Sequence, residues 1–411
     1  MVSKKLLLAA IILFINLLST IAYAGQNPPL PPFSKGGMGG LFSSQFLALP
    51  VEGDPYRVWF DKGKILYSQM AYREAFDAFT KIDKNAPPDL LDESLYLSAN
   101  SLMETGSYDE AASFANAVSN KSPVYPFALY TMAMINLKTG NEKKAAEYLE
   151  DITKYVRTAQ PSKGKKTGEK PGALSGNEEL AHRANLTLGF MHLEKGNHDD
   201  ALKYFSAIPK GSQFHAKALF GLGWAYARME RWVRSVVIWE ELYSLYPDSR
   251  YTIEVVPYIG YAYTRLNAYG KAIEQNGTAM RYYKDTSAKI TGLKNGIQRG
   301  DFDKIAHTVG IYGDDEMSDR LKLYNGLLEM EEYLGQLSPG TSPEAESLIS
   351  SSKKMREDIL DDVYAKVQVF LGQMQRQLLE ASIDLSIWMA QNLRLEGGGQ
   401  ISSDMTFIDH D

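Results

Sequence analysis

Cysteine is absent from all 411 residues. The chain therefore forms no disulfides, and it has no residue able to carry the lipid of a bacterial lipoprotein. Histidine is scarce. His182, His192, His198, His215, His307 and His410 show neither His-Glu-x-x-His nor a spaced ligand cluster, so no metal site is expected. His192 and His198 flank an inter-helix turn and read as packing and surface residues. No glycine loop ends in Gly-Lys-Ser/Thr, and Gly221-Leu-Gly223 falls inside a helical pattern. The acidic run Asp314-Asp315-Glu316 with Asp319 lacks the alternation and glycine of a calcium loop, and reads as a solvated helix start. With no nucleophile elbow and no matched acid and base either, the chain is expected not to be an enzyme and to use no cofactor. Positive charge is in deficit too: 44 Lys and Arg against 50 Asp and Glu give a net charge of −6. A mildly acidic chain is a poor partner for nucleic acid.

Long apolar runs are missing but for one, Leu6 to Leu18, preceded by Lys4 and Lys5 and followed by Ala22-Tyr23-Ala24. Residues 1–24 thus read as a secretory signal peptide, with an uncleaved anchor as the alternative, for which the run is short. The protein is expected to be exported, periplasmic or envelope-associated. Residues 25–54 are crowded with proline and glycine between Asn27 and Gly40. They read as a flexible linker, with a proline-rich docking segment as the alternative.

What the chain has in abundance is helical periodicity. From Ala216 to Pro247 apolar residues recur at three- and four-residue steps on both sides of a break near Met229 to Arg231, which describes a helical hairpin. Gly223 lets the second helix approach, Tyr226 and Trp239 fill the space beside it, and Pro247 ends it. The pattern recurs. Repeats one to three occupy residues 55–156, and their inter-helix alanines Ala75, Ala111 and Ala145 are 36 and 34 residues apart. A basic low-complexity loop, 157–177, interrupts; its Lys163, Lys165, Lys166 and Lys170 keep it solvated or touch an anionic surface. Repeats four to six fill 178–285, with Ala201, Ser235 and Ala272 at steps of 34 and 37. A degenerate unit is expected over 286–317, turning at Gly300 to Asp303.

Residues 318–395 change character. One helix carries Leu321, Tyr324, Leu327 and Leu328, a break follows from Gly335 to Pro343, and Ser342 is placed to cap the next helix. There Leu360, Tyr364, Val367, Leu371, Met374, Leu378, Ala381, Leu385 and Trp388 alternate steps of four and three, a coiled-coil-like seam. Its partner lies either in cis, as a helix capping the last open face of the array, or in trans, as self-association through 360–388. Residues 396–411 read as a frayed, disordered tail.

Leu219, Leu222, Gly223, Tyr226, Trp239 and Pro247, with their counterparts in the other repeats, resemble the tetratricopeptide repeat (TPR) family over about residues 55–285. The resemblance implies an all-α fold, a superhelical solenoid of about six to seven hairpins followed by the long-helix segment. Behind a signal peptide, the whole is similar in plan to exported bacterial TPR proteins serving outer-membrane protein assembly and the Tol envelope system. It lacks the lipidated cysteine of the former and carries its coiled-coil-like helix after the repeats, unlike the latter. The resemblance also implies that each hairpin's first helix lines a concave groove. The inward positions are Arg57, Phe60 and Tyr67, then Tyr96, Asn100 and Glu104, then Phe127, Tyr130, Met134 and Lys138. Repeats four to six add Arg183, Leu186, Phe190, Lys217, Phe220, Trp224, Arg228, Tyr261 and Arg265. Aromatics beside basic residues make binding hot spots when exposed, and any one ring can instead be packed against a neighbouring hairpin.

The function these features imply is a non-catalytic envelope scaffold holding a partner protein or peptide in its groove. A helper or remnant of a peptidoglycan-acting enzyme, or a component of polysaccharide export, is the alternative. On this reading Gly223→Leu damages the fold, whereas Trp224→Ala spares it and weakens partner binding.

Overall fold

The computed structural model describes residues 47, 49, 54–159, 176–312, 315–336 and 343–397. The expected signal peptide, nearly all of the linker, the body of the basic loop and the final tail lie outside the described residues. Among those described, every regular element is a helix. Six hairpins come first: α1 (Pro55–Ser68) with α2 (Tyr72–Phe79), α3 (Pro88–Glu104) with α4 (Tyr108–Ala117), and α5 (Tyr125–Lys138) with α6 (Glu142–Ala159). Then follow α7 (Gly176–Glu194) with α8 (His198–Ser206), α9 (His215–Arg228) with α10 (Trp232–Leu245), and α11 (Arg250–Arg265) with α12 (Tyr269–Gly296). Three further helices end the chain: α13 (Phe302–Tyr312), α14 (Asp315–Gln336) and α15 (Pro343–Gly397). None of the described helices is long and apolar enough to cross a membrane.

Local chemistry sets the hairpins. Asp54 caps α1 by accepting from the Tyr56 N–H at 3.1 Å, with Pro55 at the first turn. Each hairpin reverses at a residue with positive φ: Gly106, Gly140 and Gly196 in three, Met70, Glu230 and Asn267 in the others. The next N–H reaches back to the carbonyl five residues earlier, as from Ser107 to Leu102 and from Arg231 to Tyr226, both 2.9 Å, which satisfies carbonyls the helix end leaves open.

Close packing of the two helices rests in four of the six hairpins on a glycine facing a side chain sixteen residues later, with Ala99 and Ala133 at the glycine position in the second and third. Gly63 meets Phe79, Gly189 meets Phe205, and Gly223 meets Trp239, which is fully buried. In the last hairpin the ring is replaced by Asn276, facing Gly260, and its buried Oδ1 has no hydrogen-bond partner. Removing an unsatisfied polar atom without opening a hole stabilises, so Asn276→Leu is expected to raise stability by about 1–2 kcal/mol in denaturant melts.

The chain divides into two compact units. The first comprises the described residues between 47 and 185 and between 297 and 367. In it α1, α3 and α5 pack side by side, and α14 lies along α1. Gly326 makes that approach: the Gln69 side chain donates to its carbonyl at 3.4 Å, and a Cβ there would come within 2.6 Å of the Ser68 carbonyl carbon. The first part of α15 is tied to α14 by Arg356, whose guanidinium donates twice to Glu331 at 2.8 Å and once to the Tyr324 hydroxyl at 3.0 Å. The second unit comprises, of the described residues, 186–296 and 368–397. There α9 and α11 pack together, and the later part of α15 runs beside α12, where Gln368 donates to the Lys294 carbonyl at 2.9 Å and Gln375 to the Thr291 hydroxyl at 2.8 Å.

Three expectations are resolved. α12 is one helix of 28 residues, so residues 286–296 extend the sixth hairpin instead of opening a seventh. Thr286 and Ile290 continue its buried face with no proline between them and Ala272. The turn at Gly300 does form, with φ of 97°. Second, the tail packs in cis: α15 from Gln368 onward runs beside α12 of the last hairpin, as the cap reading has it, and in the first unit α14 additionally lies along α1 through Gly326, which no repeat pattern announced. Third, the buried series on α15 is Ala345, Leu348, Ser352, Met355, Ile359, Val363, Val367 and Leu371, which runs in steps of four from Met355 onward. Leu360, Tyr364 and Met374 are only half-buried, and the side chains of Leu378, Ala381, Leu385 and Trp388 lie outside the described residues. Steps of four follow the ridges of a helix packed on a globular neighbour, where a two-stranded seam would alternate four and three.

Candidate functional site

A helix repeats every 3.6 residues, so Lys217, Phe220, Trp224 and Arg228 share one face of α9, and Glu254, Tyr258, Tyr261 and Arg265 share one face of α11. In the second unit these two helices are neighbours, and their facing side chains build a cluster of rings. Trp224 stands edge-on to Tyr258 at 4.8 Å and to the buried Trp239 at 5.2 Å. Phe220 continues the row, 6.3 Å from Trp224 and 5.4 Å from Tyr251. The Lys217 ammonium lies 5.5 Å from the Phe190 ring centre, a cation–π contact.

Burial sorts the residues the sequence nominated. Phe190 and Phe220 are core residues, 3% and 1% exposed, with Phe190 packed edge-on against Phe205 at 4.9 Å. The expectation that they face an open groove therefore fails, because in each case a neighbouring ring covers them. Trp224 is half-buried against three rings, so for it the packing alternative holds in part. Tyr261 and Arg265 form a separate pair on the two sides of Trp232, at 5.7 Å and 5.5 Å. Arg228 stands beside His198, whose imidazole pKa is lowered by burial first and by that charge second.

Two members of the cluster went unnominated. Tyr258 is the ring with the most open surface, 38% exposed among otherwise covered aromatics. Glu254 lies one turn before it, and its Oε2 is buried with no hydrogen-bond partner. Burial pushes the Glu254 carboxyl up to about 7, against the opposing pull of Arg250 and Lys217. The pKa of 4.5 in the unfolded chain is thus raised on folding, so folding loses stability as pH climbs from about 4.5 to about 7. We expect Glu254→Gln to abolish this slope, gaining up to about 3 kcal/mol over the natural protein at pH 8 and nothing at pH 4 in chemical-denaturation titrations.

In the first unit Phe127 and Tyr130 lie on α5, both half-buried. Phe127 tilts against Tyr96 at 6.1 Å, and the Arg183 guanidinium sits 5.0 Å from the Tyr130 ring centre. Thr131 donates to Asn100 Oδ1 at 2.7 Å. Glu104, nominated as an open groove residue, instead lies within electrostatic reach of Asp319 and Lys322 on α14, and its pKa is raised by burial. A folded-back terminal helix has taken that position. Among the described residues no group of three or more His, Cys, Asp or Glu could hold a metal ion.

Residues 217–249, which are α9, α10 and the closing turn, match the tetratricopeptide repeat family model. No curated protein matches the chain at significant similarity. Among solved structures, the chain is similar to the C-terminal part of a TPR repeat-containing protein from Cytophaga hutchinsonii, at 15% identity and a TM-score of 0.43, over 71% of this chain and 99% of that one. It is also similar to a tetratricopeptide repeat protein from Parabacteroides merdae, at 15% identity and a TM-score of 0.36, over 67% of this chain and 92% of that one. A looser likeness is to the TPR2AB domain of yeast Sti1, solved with pHSP90, at 18% identity and a TM-score of 0.23, over 55% and 90% of the two chains. What the comparisons identify is therefore one stretch: residues 217–249 are a tetratricopeptide repeat, set in a row of helical hairpins that share its positive-φ turn and, at Gly63 and Gly189, its glycine–ring contact.

Proposed function

We propose that this protein is an exported, envelope-associated scaffold that holds an extended peptide or a helix of a partner protein against the α9–α11 face of its second unit, without catalysis. The observation that carries the reading is Tyr258: a large ring left 38% exposed on a base of covered aromatics, with Glu254 one turn before it and Lys217 near that carboxyl. A rigid ring loses little entropy on binding and offers both an apolar face and a polar tip, which is how hot spots are composed. The unpaired Glu254 Oε2 supplies an acceptor for a donor that a partner brings. The leader-like pattern of residues 1–24 is what supports export.

Tyr258→Ala removes the exposed ring and leaves Trp239 and Trp224 in place. Proteins co-purifying from the native cell with this variant and with the natural protein can be compared by quantitative mass spectrometry. A specific partner reduced about tenfold or more by Tyr258→Ala, and unaffected by Lys203→Ala on α8, is the expected result. An unchanged set of partners would remove the α9–α11 face from consideration. Fractionation tests the location separately, and recovery of the full chain with cytoplasmic markers would contradict export.

A further inference from the structure

The last stretch of α15 presents an apolar face that the fold leaves open. Val369, Leu379, Ile383 and Ile387 are between 47% and 61% exposed. Gln373, Arg376, Glu380 and Ala390 are exposed as well. From Val369 through Gln373, Arg376, Glu380, Ile383 and Ile387 to Ala390 the steps alternate four and three, and Leu379 flanks them. At about 100° per residue all eight fall on one strip about 120° wide. This is a heptad seam facing solvent, distinct from the series Met355 to Leu371 that the fold buries.

Charges in the middle of such a seam decide what can cover it. An apolar partner would bury Arg376 and Glu380 with no counter-charge but each other, at the desolvation cost of an ion pair. A second copy in parallel would set Arg376 against Arg376 and Glu380 against Glu380. A second copy running antiparallel resolves both, because the seam is self-complementary about the midpoint of Arg376 and Glu380. Arg376 then faces Glu380 of the other copy, twice by symmetry, while Val369 faces Ile387 and Gln373 faces Ile383. We infer that the α15 face from Val369 to Ala390 is a homodimerisation surface, pairing two copies of this chain as an antiparallel helical pair fixed in register by Arg376 and Glu380. The inference is independent of the α9–α11 face.

The natural absence of cysteine allows a clean test on the full chain. Val369→Cys mixed with Ile387→Cys should form a crosslinked dimer with a short bis-maleimide, whereas either variant alone should not, since like positions in an antiparallel pair lie about 27 Å apart. In sedimentation equilibrium, Arg376→Glu should weaken the dimer at least about tenfold, and adding Glu380→Arg to it should restore the dimer to near its natural strength. The restoration distinguishes a register contact from general damage to the helix. Four results would overturn the proposal: a monomer at every concentration, a crosslink between like positions, a dimer indifferent to Arg376→Glu, or a photo-crosslinker at position 383 that attaches within one chain to residues 1–46.

Discussion

Gly223→Leu is expected to lower the stability of the second unit by about 3 kcal/mol or more, a fall in Tm of roughly 6–12 °C. Even a methyl group at this position would lie 2.0 Å from Nε1 of Trp239. Trp239 cannot give way, because it is completely buried and carries Trp224 and Tyr258 on its edges. The contact is further fixed from behind, since the Ser235 hydroxyl donates to the Gly223 carbonyl at 2.9 Å. Relief would require α9 and α10 to part, which opens the core of their hairpin. Gly→Ala at position 270, with open space around it, is the control and should stay within about 0.5 kcal/mol. Thermal melts of the two variants check both numbers.

Gly326→Ala should act as strongly by another route. The atoms a Cβ would meet are the backbone of Ser68 and Gln69, at 2.6 and 2.7 Å, together with the Ser68 hydroxyl, and backbone cannot rotate aside as a side chain can. The helix α14 must therefore lift from α1, weakening the Gln69 bonds to the Gly326 carbonyl and to Met330. The expected loss is about 2–3 kcal/mol in the first unit. Hydrogen exchange should accelerate in α1 and α14 and stay unchanged in α9 and α10, because the two glycine contacts belong to different units. Uniform acceleration throughout would contradict a docked terminal helix.

The repeat was legible because its constraints are local. Gly63, Gly189 and Gly223 sit opposite a ring sixteen residues later, and the turns at Gly106, Gly140 and Gly196 need the positive φ that glycine adopts freely. The remaining turns were hidden because Met70, Glu230 and Asn267 adopt the same φ without advertising it. Periodicity puts Phe190, Phe220 and Trp224 on the apolar faces of their helices, yet a face is only half of a contact. What covers that face comes from the facing helix, Phe205 on α8 of the same hairpin for Phe190 and Tyr251 on α11 of the next hairpin for Phe220. Tyr258 and Glu254 escaped because inward positions transferred from the repeat pattern fell on Tyr261 and Arg265, which flank Trp232 instead.

The tail shows the same limit in a sharper form. A four-and-three seam through Leu360 and Tyr364 named a helix correctly, but the side actually buried runs through Ile359 and Val363, one residue away. The partner was α14 and its neighbours, which no local pattern announces. That α14 would return to α1 depends on Gly326 meeting Ser68 across more than two hundred and fifty residues, a relation without sequence period.

The central claim, that the α9–α11 face is where a partner binds, is tested most directly by site-specific photo-crosslinking in the native cell from position 258, with Lys203 as the control position. Capture of one partner from position 258, competed by nothing at 203 and lost when Lys217 is replaced by alanine, is the predicted result. Equal capture from both positions, or none from position 258 while the protein is folded and correctly located, would contradict it.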